Sequence, residues 1–186
     1  MAAINSLNFR FAARGATLVL MSSNVKETNM SKNFLGLDTT KTQKLADSLN
    51  DLLSNYQIFY MNVRGYHWNI KGDNFFELHV KFEEQYDALL LKIDEIAERV
   101  LTLGHHPAHA YSTYMERSDI PERKDVSNGK DAVQNITESF VKLIGKQREL
   151  LSLANDADDE GTASLMSDYI AEQEKTLWMY RSYLGQ

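Results

Sequence analysis

Proline occurs at only two positions of this 186-residue chain, Pro107 and Pro121, and both lie in its middle part. Because proline inside a helix removes a hydrogen bond and clashes with the preceding turn, two long stretches are left in which helices can run uninterrupted. Within these stretches, apolar residues recur every three or four positions in four segments: 45–63, 82–100, 133–150 and 166–184. This periodicity predicts four amphipathic helices, and Gln173 interrupts the apolar face of the last one.

The connection between the second and third segments is long. Gly104 ends the second helix, Asn128 stands before the third, and residues 105–129 lie between them. Loops of this length usually contain a short element of their own, so one short helix is predicted within residues 108–117. Four helices with a single long crossover in the middle are typical of the ferritin-like bundle. We therefore predict an all-α, ferritin-like four-helix bundle over residues 39–186, with a short extra helix in the long connection.

The charge of the chain is unevenly distributed. The formal net charge is −6, yet residues 1–44 contain six basic and two acidic residues, which leaves −10 for residues 45–186. An acidic body repels nucleic acid and attracts cations. We predict that residues 1–38 form a flexible tail. Residues 1–26 contain no acid and resemble a presequence, so a disordered extension, a functional tail and a targeting segment all stay open.

Cysteine is absent, which excludes disulfides, thiolate metal sites and cysteine nucleophiles. A metal would therefore be held by His, Asp and Glu, and this ligand set suits iron, manganese or zinc. No stretch approaches the roughly 20 apolar residues that a membrane-spanning helix needs. We expect a cytoplasmic protein without a membrane partner.

Four potential metal ligands lie on one flank of the second helix: His79, Glu83, Asp94 and Glu98. At about 100° per residue, they fall roughly 60° to 160° away from Phe82, the centre of the apolar face. They form two pairs spaced i, i+4, and each pair can converge on one point. An acidic helix flank is more commonly a solvated surface, and that alternative stays open for the second pair.

The two pairs cannot share an ion within one subunit. Glu83 and Asp94 are eleven positions apart, roughly 16 Å along a helix, whereas metal–ligand bonds are about 2 Å long. An antiparallel helix of a second subunit would place one subunit's first pair opposite the other's second pair, and a two-fold axis does this twice. The spacing therefore predicts a metal site shared between two subunits, and His67 near the end of the first helix can complete it.

Four short motifs accompany this spacing: HWNIKG at 67–72, NFFELH at 74–79, DEIAER at 94–99 and EKTLWM at 174–179. Together they resemble the signature of the Dps family, or mini-ferritins, and the similarity extends from about residue 41 to residue 184. The motif Glu-x-x-His of ordinary di-iron bundles is absent, because no acid stands three residues before any histidine.

The resemblance implies a ferroxidase that oxidises Fe(II) to Fe(III), with hydrogen peroxide as the preferred oxidant, and that stores ferric mineral inside a homododecamer. The resemblance implies five ligands from two subunits. One subunit supplies His67, His79 and Glu83, and its two-fold mate supplies Asp94 and Glu98. The family usually has Asp where this chain has Glu83. The carboxylate is kept, but its side chain is one methylene longer.

A closed shell needs pores for cations. One dense acidic group lies at the join of the third and fourth helices: Asp156, Asp158, Asp159 and Glu160, with Asp168 about two turns further on. Around a three-fold axis such acids would attract divalent ions, and the resemblance implies acid-lined three-fold pores near this join. The alternative is a solvated acidic turn at the start of the fourth helix, where the macrodipole favours carboxylates.

Two other functions stay open. DNA binding through the basic tail is one, because twelve tails on one shell could supply an avidity that a single tail lacks. A ferritin-like enzyme or signalling bundle without storage is the other, although the missing Glu-x-x-His motif argues against an oxygenase.

Overall fold

The computed structural model describes residues 31–186. The secondary structure of this part consists of five helices: α1 (Thr39–Asn69), α2 (Phe75–Thr102), α3 (Tyr111–Arg117), α4 (Gly129–Asp156) and α5 (Glu160–Tyr183). The four long helices form a bundle, and α3 lies in the connection between α2 and α4, packed against α1. The predicted fold class is confirmed, including the short helix of the long connection.

Most of the predicted flexible tail, residues 1–30, lies outside the described part of the chain. Residues 31–38 run beside the end of α2, where the Asn33 side chain donates to the carbonyl oxygen of Leu103 at 3.1 Å. An antiparallel bridge joins Lys32 to Asp38. The Asp38 carboxylate then accepts from the backbone N–H of Lys41 at 2.9 Å, which caps α1 because the first N–H groups of a helix have no partner inside it.

The apolar faces of the long helices meet in one core. Phe59 of α1, Phe82 of α2 and Phe140 of α4 are at most 1% exposed. The rings of Phe59 and Phe140 meet edge to face, with centroids 5.2 Å apart. Fully burying one such side chain contributes about 1.5–3 kcal/mol, so this core holds the helices together. No helix between residues 31 and 186 has the length and apolar character needed to cross a bilayer.

Gln173, which interrupts the apolar face of α5, is buried in the centre of the bundle. Its amide nitrogen donates to the hydroxyl of Tyr56 on α1, and its amide oxygen accepts from Gln147 on α4 at 3.0 Å. Gln147 also donates to the Tyr56 hydroxyl, at 2.8 Å. A buried polar group left unpaired costs about 1–3 kcal/mol, so these cross-links favour one arrangement of the three helices.

Three buried asparagines of α1 fix the long connection. Each accepts hydrogen bonds of 2.7–3.1 Å from backbone N–H groups: Asn50 from Ala108, Asn55 from Asp119 and Ile120, and Asn62 from Arg123. A loop packed on a helix needs partners for its backbone groups, and the asparagines supply them. The sequence analysis did not identify this role.

Candidate metal centre

A short turn brings the end of α1 beside the start of α2. Gly72 has φ of +91°, a left-handed conformation that glycine adopts without steric cost, and the chain reverses there. Asn74 precedes α2 at φ +59°, and its side chain forms no capping hydrogen bond. The turn places His67, in the last turn of α1, next to His79 of α2.

The imidazole rings of His67 and His79 stack. Their centroids are 3.8 Å apart, and the ring planes differ by 18°. His67 is 9% exposed, and His79 is half-buried. The two predicted histidine ligands thus meet in one place within a single subunit.

Each imidazole is held by the backbone of the other helix. Nδ1 of His67 donates to the carbonyl oxygen of His79 at 2.8 Å, and Nδ1 of His79 donates to the carbonyl oxygen of His67 at 2.9 Å. A carbonyl oxygen only accepts, so each Nδ1 carries the proton and each Nε2 of the neutral ring keeps a free lone pair. Metal-ligating histidines are usually fixed in this way, with the second ring nitrogen bonded to a carbonyl or carboxylate.

The local fold explains this exchange. His67 lies within the last four residues of α1, whose carbonyl groups have no donor inside the helix. The His79 ring supplies one, and the same contact orients that ring. A hydrogen bond that completes the end of α1 therefore also orients the ring of His79, a predicted metal ligand on α2.

Glu83 lies one turn after His79 on α2 and is exposed. Its carboxylate accepts a hydrogen bond from the Tyr86 hydroxyl at 3.3 Å. Partial burial raises the pKa of the Tyr86 hydroxyl, and the negative charges of Glu83 and Asp87 raise it further. The ring of Tyr86 meets the His67 ring edge to face, with centroids 5.3 Å apart.

Asp94 and Glu98 lie further along α2, and both are exposed. Among residues 31–186, no ion pair involves either carboxylate. The structure thus brings His67 of α1 and His79 of α2 together. Asp94 and Glu98 lie further along α2, away from both histidines. Within the described part of one chain, no three histidine or acidic side chains are placed to hold a metal ion. A metal ion bound by the two histidines would therefore need a third ligand, supplied either by a second subunit or by movement of Glu83.

The acidic group at the join of α4 and α5 divides into two kinds of residue. Asp159 is 3% exposed, pairs with the Arg99 guanidinium of α2, and accepts from both the hydroxyl and the backbone N–H of Thr162, the latter at 3.2 Å. Asp159 is therefore the cap of α5 and half of a buried ion pair. The other four acids of the predicted pore are exposed: Asp156, Asp158, Glu160 and Asp168.

Sequence analysis missed the residues around the ligands. Tyr86 lies within the apolar segment 82–100, but its position three residues after Glu83 also places the two side chains on neighbouring parts of the helix. Arg64, one turn before His67 on α1, lies over the rings of Tyr60, Tyr86 and Trp68, with Cζ 4.7 Å from the Trp68 centroid. Such cation–π contacts have no simple sequence signature, because they depend on how two helices meet.

Comparisons with known proteins agree with this architecture. The sequence profile of the ferritin-like domain family matches residues 46–186. A DNA protection during starvation protein from Porphyromonas gingivalis is 36% identical to this chain, over 80% of this chain and 93% of its own length.

Two solved structures are also similar. The Dps protein of Vibrio cholerae O1, described as a member of a broad superfamily of ferritin-like diiron-carboxylate proteins, is 55% identical with a TM-score of 0.82. That similarity covers 83% of this chain and 98% of the Vibrio chain. A Dps protein of Bacillus brevis is 34% identical with a TM-score of 0.76, over 78% of this chain and 97% of its own.

Proposed function

This chain belongs to the Dps family of ferritin-like proteins, and from that premise we propose that it is a ferroxidase and iron store of the cytoplasm. In this proposal it binds Fe(II) as substrate at sites shared between two subunits and keeps the Fe(III) product inside a homododecamer. The observation that carries the proposal is the reciprocal hydrogen bonding of His67 and His79. It leaves the Nε2 lone pair of each stacked ring without a hydrogen-bond partner among residues 31–186, and therefore available to a metal ion.

The ligands are divided between two subunits. His67, His79 and Glu83 come from one subunit, and Asp94 and Glu98 come from its two-fold mate. Imidazole nitrogen and carboxylate oxygen together suit ferrous iron, and the carboxylates bind more strongly as the ion becomes ferric. Within residues 31–186, Asp94 and Glu98 are exposed and have no ion-pair partner, which supports this allocation because both carboxylates are available to another subunit.

Hydrogen peroxide is the proposed oxidant. Two ferrous ions give up one electron each, and peroxide takes up these two electrons and two protons to leave as two waters. The chain needs no general base for this reaction, since the electrons come from the metal. Its residues bind and orient the ions, and the shell keeps the ferric product from solution. Removing ferrous iron and peroxide together would protect DNA, which agrees with the names of the relatives.

The direct test replaces one ligand from each half of the site. We expect the double variant His67→Ala, Asp94→Ala to oxidise Fe(II) under peroxide far more slowly than the parent, while the size of the assembled particle stays the same. Absorbance of the ferric product gives the rate, and light scattering gives the size. A parental rate in an intact particle would show that the site lies elsewhere.

A complementation experiment tests the division between subunits. Particles made only of His67→Ala subunits, or only of Asp94→Ala subunits, contain no complete site. In a mixed dimer, however, the intact His67 of one subunit faces the intact Asp94 of the other, so one of the two sites is restored by symmetry. Random co-assembly should therefore recover roughly a quarter of the parental activity. No recovery in well-mixed particles would contradict a site shared between subunits.

DNA binding through the basic tail is the second candidate function. Its basic residues at positions 10, 14 and 26 lie outside the described part of the chain, and residues 45–186 carry a net charge of −10. Gel shifts with the full chain and with a variant lacking residues 1–30 separate the two candidates. A shift that weakens with salt and needs the tail supports DNA binding, because phosphate contacts release counterions. No shift at low salt excludes it.

A further inference from the structure

Tyr86 touches two of the proposed ligands at once, and those ligands belong to different helices. Its hydroxyl donates to the carboxylate of Glu83 on its own helix at 3.3 Å. The edge of its ring meets the imidazole of His67 on α1, at 83° between planes and 5.3 Å between centroids. This is the one side chain in residues 31–186 for which both contacts are observed.

The ring itself is held from two further sides. Tyr60 of α1 packs against it edge to face, with centroids 6.2 Å apart. The Arg64 guanidinium carbon lies 5.7 Å from its centroid, and Arg64 donates to the Tyr60 hydroxyl at 2.9 Å. An aromatic ring packed on several faces keeps one rotamer, so its hydroxyl is a fixed donor.

We propose that Tyr86 is a positioning residue of the shared metal site, which sets the Glu83 carboxylate through its hydroxyl and the His67 imidazole through its ring. The inference rests on the proposed function and adds to it a group outside the ligand set. It also accounts for the glutamate at position 83. A glutamate has one more rotatable bond than an aspartate, and a fixed hydroxyl donor offsets part of that freedom.

The test is Tyr86→Phe, which keeps the ring and removes only the hydroxyl. Co(II) without oxidant is the probe, because its visible absorption reports both binding and ligand geometry. Loss of a residue that hydrogen-bonds to a metal ligand typically weakens metal binding about 10–100-fold. We therefore expect Tyr86→Phe to bind Co(II) about 10-fold more weakly, with an altered absorption band. Tyr111→Phe is the matched control. It removes the hydroxyl of an exposed tyrosine of α3, whose ring contacts Tyr114, and should leave both affinity and band unchanged.

A double-mutant cycle shows whether Tyr86 acts through Glu83. Tyr86→Phe should weaken Co(II) binding in the parent and add nothing in a Glu83→Ala background, because its acceptor is then absent. Parental binding by Tyr86→Phe, or an equal loss in both backgrounds, overturns the inference. The proposed function fails in a different arm. If His67→Ala binds Co(II) as the parent does, the site is elsewhere. If His67→Ala loses Co(II) binding while Tyr86→Phe keeps parental binding, only the positioning role of Tyr86 is rejected.

Discussion

Asp159 and the pair Asp94 and Glu98 are acids of one subunit in opposite surroundings. Asp159 is buried, paired with Arg99, and hydrogen-bonded to Thr162. Asp94 and Glu98 are exposed and take part in no ion pair among residues 31–186. Folding explains the first acid completely, since its charge is neutralised within the chain. The charges of the other two are not neutralised by an ion pair within residues 31–186, as is expected both of solvated surface acids and of ligands that a second subunit completes.

The histidine end of the site lies between these two extremes. His67 and His79 are satisfied at Nδ1 by backbone carbonyls and open at Nε2. The subunit thus uses one nitrogen of each ring for folding, and in the proposed site the other nitrogen binds iron. Substitutions that affect stability and substitutions that affect iron chemistry should therefore separate cleanly, and this separation can be measured.

The largest expected effect is on stability, from Asp159→Asn. Breaking a buried ion pair by removing one partner typically costs about 3–5 kcal/mol, because the remaining charge stays buried. The Arg99 side chain is 17% exposed, so its guanidinium would lose its partner largely out of water. The urea midpoint of the iron-free protein should fall accordingly. The control is Asp158→Asn, at an exposed neighbour. Its free energy of unfolding should stay within about 0.5 kcal/mol of that of the parent.

A second arm confirms the cause. Arg99→Met combined with Asp159→Leu removes both charges and should recover most of the lost stability, as apolar replacements of buried ion pairs often do. Equal stability of the parent and Asp159→Asn would mean that the Arg99–Asp159 pair contributes nothing to the free energy of unfolding. Asp159 and Asp94 would then not differ in their importance for folding.

The reverse behaviour is expected of Asp94→Asn. Loss of a ligand carboxylate should slow iron oxidation at least about 100-fold, equivalent to about 2.7 kcal/mol, with an unchanged urea midpoint. Asp131→Asn on α4 is the matched control, because it removes an exposed acid of another helix and should leave the rate as it is. A lower urea midpoint with a parental rate would assign Asp94 to folding.

Alkaline pH tests burial through the tyrosines. Burial is the first cause that raises the pKa of Tyr56, Tyr66, Tyr169 and Tyr180, and it raises that of Tyr66 to about 12. An unfolded chain ionises its tyrosines near pH 10. Above that pH the unfolded state binds fewer protons than the folded state, so stability falls as pH rises and is unaffected near neutrality.

The slope should approach about 1.4 kcal/mol per pH unit for each tyrosine that ionises only on unfolding. Between pH 10 and 12, Tyr66→Phe should make the pH dependence of the free energy of unfolding less steep by about 1.4 kcal/mol per pH unit. Urea midpoints at a series of pH values measure this slope. Tyr111 is exposed, so Tyr111→Phe should leave the slope as it is. The same slope in all three proteins would contradict the assignment of Tyr66 to the buried class.

Sequence alone predicted most of the fold, and the reason is local. Helix ends at Gly104 and Asn128 follow from backbone preferences that act over a few residues. The juxtaposition of His67 with His79 also follows, because a turn of five residues joins their helices. The exchange of hydrogen bonds between the two histidines and the role of Tyr86 do not follow, because both depend on the distance between α1 and α2.

Burial separated residues that the sequence had grouped. Asp159 stands among four other acids, and charge pattern alone gives no reason to treat it differently. Its partner Arg99 lies sixty positions earlier in the chain, and only the packing of α2 against α5 brings them together. The predicted pore therefore continues as a proposal with the four exposed acids.

The smallest expected effect belongs to those four acids, replaced together as Asp156→Asn, Asp158→Asn, Glu160→Gln and Asp168→Asn, with Asp159 left in place to cap α5. If they line a pore, they raise the local concentration of divalent ions without touching the oxidation site. We expect iron oxidation to slow several-fold at low salt, in a particle of unchanged size and stability. The difference should shrink as salt is added, because the Debye length falls from about 10 Å at 0.1 M to about 3 Å at 1 M. A control with four other exposed acids neutralised separates a local pore from total charge: Asp47, Glu116, Asp131 and Glu149. Equal slowing in both variants would reduce the effect to net charge, and equal rates in the parent and the first variant would mean that iron enters by another route.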